Sequence, residues 1–76
     1  MKLRYTAVTE RDEDGYYVAF VPALGPGVAA QGRTRRQALA RLRGVVKSYI
    51  GALRFDGEAV PIEKAPLSLV SFEVAA

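Results

Sequence analysis

Apolar and polar residues alternate through the first thirty positions of the chain and then change to a spacing of three and four. Residues 2–10 place Leu3, Tyr5 and Ala7 on one side and Arg4, Thr6 and Val8 on the other, the period of a β-strand. A charged stretch, Arg11-Asp12-Glu13-Asp14-Gly15, follows and closes on Asp-Gly, a strong hairpin signal between two β-prone runs. Residues 16–21 (Tyr-Tyr-Val-Ala-Phe-Val) predict a second strand, which Pro22 stops by removing a ladder donor. After the turn formers Gly25-Pro26-Gly27, residues 28–31 suffice for a short third strand, and Gly32 reads as a break. Thr34-Arg35-Arg36-Gln37 fits a capping box. Apolar residues at 38, 39, 42, 45, 46, 49, 50 and 53 then predict an amphipathic helix over 35–53, roughly 28 Å long. Phe55-Asp56-Gly57-Glu58 ends it, prolines at 61 and 66 punctuate a connector, and 67–75 predicts a last strand.

The predicted order is β-β-β-α-β in one domain, residues 1–76. One helix with one apolar stripe needs one sheet face to bury it, so the expected fold is two-layer α+β: a three-stranded antiparallel sheet, plus a further strand, on one long helix. The other sheet face, with Val8, Val18 and Phe20 or their alternates, has no second helix to cover it. A half-covered sheet in so small a chain predicts self-association, a dimer or tetramer.

Composition narrows the chemistry. The 76 residues include no cysteine, histidine or tryptophan, which excludes disulfides, thiol nucleophiles, histidine bases and the usual zinc sites. No enzyme and no cofactor are therefore expected. The apolar runs are far shorter than the roughly 20 residues of a membrane span, and the polar N-terminus does not read as a signal peptide, so the expected compartment is the cytoplasm. The net charge of +3 is unevenly spread. Residues 33–54 hold seven basic side chains and no acidic one, whereas the remainder holds four basic and eight acidic. A basic segment in an acidic background attracts a polyanion or an acidic partner to one face only.

Several pieces of the chain, in order, carry a family resemblance: the Asp-Gly hairpin, Tyr17-Val18-Ala19-Phe20-Val21-Pro22-Ala23-Leu24, then Gln31-Gly32-Arg33-Thr34, Gln37-Ala38-Leu39 entering one helix, and Asp56-Gly57-Glu58 with Pro61 after it. Together they cover residues 3–62 and resemble the HicB antitoxin family. The resemblance implies a partial ribonuclease H-like fold. It also implies an antitoxin that binds and masks HicA, a small RNA-cleaving toxin, in a type II toxin–antitoxin system. The resemblance is to a short form of the family, expected to lack the C-terminal DNA-binding domain with which longer members repress their own promoter. Two departures stand out. The family's Pro-Gly-Cys loop is here Gly25-Pro26-Gly27-Val28, and the helix opens on Arg35-Arg36 where the family's is usually acidic.

Candidate sites follow from helical geometry. Advancing 100° per residue from Leu42 brings Arg36, Arg43, Lys47 and Arg54 onto one flank. Such a stripe can track phosphates, weakly and with strong salt dependence, or it is a solvated flank whose stems cover apolar edges. Opposite the core lie Ala40, Gly44, Ser48 and Gly51, small residues that suit a subunit interface, or drift at exposed positions. Tyr16 and Phe20, on alternate positions of the second strand, are the aromatic pair most exposed for a subunit contact or base stacking. Asp12, Glu13 and Asp14 read as a turn-forming tip rather than a cation site.

The expected function is thus an antitoxin-like binding module. The alternatives are a homo-oligomeric nucleic-acid-binding protein using the basic helix, or a structural remnant of the family without a toxin.

Overall fold

A computed structural model describes residues 2–64, 68 and 70–75. Three short strands, β1 (Val8–Arg11), β2 (Tyr17–Phe20) and β3 (Ala29–Gly32), form an antiparallel meander, and one helix, α1 (Arg35–Phe55), follows. The α+β arrangement expected from the periodicities is the one observed.

The hairpin between β1 and β2 is built by Asp12. Its carboxylate accepts from the backbone N–H groups of Asp14 (3.0 Å) and Tyr16 (2.9 Å) and from the side-chain amide of Gln31 (3.2 Å). Gly15, at φ +86°, supplies the left-handed residue that closes the turn. The strand register pairs Val8 with Phe20 and Arg11 with Tyr17. Continued backward, it sets Thr6 opposite Pro22, which has no N–H to donate. β1 therefore begins at Val8, although the alternation that predicts it starts at Lys2.

The helix begins at the expected cap, with the return bond of the capping box shifted by one residue. Thr34 Oγ1 accepts from the Gln37 backbone N–H (3.0 Å), while Gln37 Oε1 reaches back to the N–H of Arg33 (2.7 Å), one residue before the cap. It runs two residues past the expected end and closes in a Schellman motif. There Glu58 N–H donates to the Leu53 carbonyl and Gly57 N–H to that of Arg54, with Gly57 at φ +71°.

The core is Ala19, Val21, Leu24 and Val28 from the sheet side and Ala38 and Leu42 from the helix, with Tyr5, Tyr17, Leu39, Val46 and Tyr49 packed around it. Close approach depends on Gly32, whose absent Cβ would sit 2.6 Å from the backbone nitrogen of Ala38. Gly32 thus belongs to β3 rather than breaking it. Arg41 ties the layers from outside, donating to the Gln31 carbonyl at 3.0 Å.

Beyond the helix the chain returns beside its beginning. Tyr5 Oη donates to the Pro61 carbonyl (2.6 Å), and the Glu63 carboxylate accepts from the backbone N–H and the hydroxyl of Thr6 (2.9 and 2.7 Å). The connector expected at this point is therefore anchored along residues 5 and 6. Of the last strand expected over 67–75, Leu67 and Leu69 lie outside the described residues. Ser68 and residues 70–75 carry no ladder and are exposed.

Candidate functional site: a cationic groove and an open sheet face

α1 packs chiefly on β3 and β2 and only lightly on β1. That offset leaves a groove of about 960 Å³ between the helix and residues 2–7. Its floor is apolar, with Leu3, Val21, Leu39, Leu42, Val46 and Ile50. Its rim carries Lys2, Arg4, Arg43, Lys47 and Arg54, all exposed, and among the described residues no carboxylate lines it.

Three of the four stripe residues, Arg43, Lys47 and Arg54, thus meet at one site, while Arg36 lies on the exposed first turn outside the groove. Sequence reasoning missed Lys2 and Arg4. Ideal strand alternation would have turned them away from Leu3 and Tyr5, but residues 2–7 are not part of the ladder and both cations line the groove with their neighbours.

The second surface is the sheet face turned away from the helix. Ala19, opposite Ala30, is fully buried beneath α1. By alternation Val8, Glu10, Val18, Phe20, Ala29 and Gln31 share the other side. Val18, Phe20, Pro22, Gly25, Pro26 and Ala29 line a shallow apolar depression there. Tyr16, 37% exposed, continues this face toward the hairpin, where Glu10, Glu13 and Asp14 are also exposed.

The residues proposed from sequence as a subunit interface do not form one surface. Ala40, Gly44, Ser48 and Gly51 are exposed on the helix, and of these only Gly51 lines the groove; Tyr16 and Phe20 belong to the open sheet face. Tyr17 is engaged internally, with the Arg11 and Arg35 guanidinium carbons 6.0 and 5.4 Å from its ring centroid. Tyr49 packs against the core. Among the described residues, no helix is long and apolar enough to cross a membrane.

These features define a small α+β domain with two chemically distinct open surfaces. The chain is 41% identical over 63 residues to a UPF0150 protein of Thermoplasma acidophilum, covering 83% of this chain and 90% of the relative. A UPF0150 protein of Helicobacter pylori is 36% identical over 69 residues (91% and 92%), and one of Archaeoglobus fulgidus is 32% identical over 63 residues (80% and 90%). The protein belongs to the UPF0150 family. No family model matches the chain.

Proposed function

We propose that this protein is a non-enzymatic binding module of the cytoplasm, a HicB-like antitoxin that holds and neutralises a small basic RNA-cleaving toxin of the HicA type. The observation that carries this reading is the open sheet face. An apolar depression lined by Val18 and Phe20 shares its face with Glu10, which pairs with Val18, and the hairpin at one end of that face exposes Glu13 and Asp14. A cationic protein with an apolar contact patch complements that surface in both respects. The cationic groove would repel the same partner, so the basic opening of the helix is compatible with toxin binding on the opposite layer. The family resemblance of residues 3–62 supports the same partner.

The test is capture of the tagged chain from its own cells at about 0.3 M salt, which screens loose charge contacts. The expected result is one small basic protein in stoichiometric amount. Purified alone, that protein cleaves RNA and stops when the chain is added back, and capture is lost in the V18S/F20S variant. Recovery of no such protein, or of one without RNA-cleaving activity, refutes the proposal.

The groove supports a second reading, nucleic-acid binding. Five cations on one rim would release counterions on contact with phosphates. In that case salt-sensitive retention on heparin is abolished by R43E/K47E and untouched by V18S/F20S.

A further inference from the structure

The groove combines two demands that few ligands meet together. A polyanion answers its five cations but leaves the floor of Leu3, Leu39, Val46 and Ile50 in water, while an uncharged apolar ligand does the reverse. What satisfies both is an extended strip with apolar side chains along one side and a carboxylate along the other.

The chain carries such a strip. Residues 70–75 read Val-Ser-Phe-Glu-Val-Ala, which places Val70, Phe72 and Val74 on one side of an extended segment and Ser71, Glu73 and Ala75 on the other. These three apolar side chains are 78%, 81% and 74% exposed, so the strip is not seated in the groove of its own chain. The radius of gyration, 14.3 Å, exceeds the roughly 11 Å of a compact chain of this length. Lengths also agree. Six extended residues span about 20 Å, and the helical wall of the groove from Leu39 to Arg54 spans about 22 Å.

We propose that the groove receives residues 70–75 of a second copy of this chain, with Val70, Phe72 and Val74 on its apolar floor and Glu73 against its cationic rim. Reciprocal exchange about a two-fold axis fills both grooves of a dimer with the same contacts. The inference is independent of the antitoxin reading, since it uses the helix side and leaves the open sheet face free.

The absence of cysteine makes the test free of background. Gly51 lies on the groove lip, where a new Cβ meets nothing within 4 Å, and Ser71 is exposed on the same side of the strip as Glu73. A G51C chain and an S71C chain, mixed and oxidised, should form a 51–71 cross-link between chains. It should form far faster than the 44–71 link made with G44C, a helix position outside the groove whose Cβ is equally unhindered. F72S introduced into the S71C chain should lower the apparent association constant by about tenfold or more, read by sedimentation equilibrium. Equal rates at 51 and 44 overturn the proposal. So does a chain that stays monomeric at every concentration, or a 51–71 link that forms only within a single chain carrying both cysteines. If added RNA displaces nothing and the cross-link persists, the groove is a protein site rather than a phosphate site.

Discussion

The two faces of the same three-stranded sheet have opposite residue economies. The face under the helix is small where the layers meet most closely: Ala19 and Ala30 pair across it, Gly32 lets Ala38 come within contact of the strand backbone, and Tyr17 and Val21 pack into the core on the same side. The face turned away carries the larger Val18 and Phe20, half-buried, with no element over them. A fold built for burial alone would place its largest side chains where they lose the most water. Here close helix–sheet approach dictates small residues where the strand backbone meets the helix at Ala38, while Tyr17 and Val21 are packed into the core from the same face. Val18 and Phe20 are left on the face that no helix covers.

The most damaging way to disturb this contrast is to add one carbon to the covered face. Gly32→Ala drives a methyl against the Ala38 backbone nitrogen, with no flexible side chain there to yield. The expected cost is about 3 kcal/mol, the upper part of the range for overpacked cores. In a domain of this size that lowers the thermal midpoint by roughly 12 to 24 °C in a calorimetric scan. An unchanged midpoint would mean that the helix does not lie this close. Thr34→Ala acts next, loosening the end of the helix that covers the sheet. Loss of the cap to Gln37 should cost about 1 kcal/mol by urea titration. Thr34→Ser should restore most of it, and if serine behaves like alanine the cap is not what holds the first turn. Val18→Ser, on the open face, should change stability least, by no more than about 0.5 kcal/mol. A larger loss in the isolated, concentration-independent monomer would show that this face is used for folding and not for a partner.

The first three strands, the helix and their order were legible because each rests on local pattern: Asp12 and Gly15 at the hairpin, Thr34 and Gln37 at the helix start, Gly57 at its end; the fourth strand expected over 67–75 is not formed among its described residues. What escaped was set between elements. The start of β1 is decided by Pro22 across the ladder, not by residues 2–7. Gly32, a breaker by local rules, is a strand residue because Ala38 needs its space. Arg43, Lys47 and Arg54 were legible as one flank of the helix, yet Lys2 and Arg4 reach that flank only through the offset of α1 from β1. The resemblance and the derived element order agreed on the fold; neither indicated that Glu63 would bind Thr6.

That last contact makes the groove conditional. Residues 2–7 line one side of it, and besides the packing of Tyr5 on the core the described side-chain hydrogen bonds that hold this segment are those joining Tyr5 and Thr6 to Pro61 and Glu63, across 56 and 57 positions of sequence. Both partners lie outside the strand ladder, in the class of segments that open locally before a domain unfolds. A nick anywhere between Glu58 and Glu63 would untie this clasp while leaving the hairpin and helix whole. The cationic groove would lose a wall, and the open sheet face would keep its shape. The molecule therefore carries one surface built into its core and another that lasts only as long as the segment before β1 stays fastened to the segment after α1.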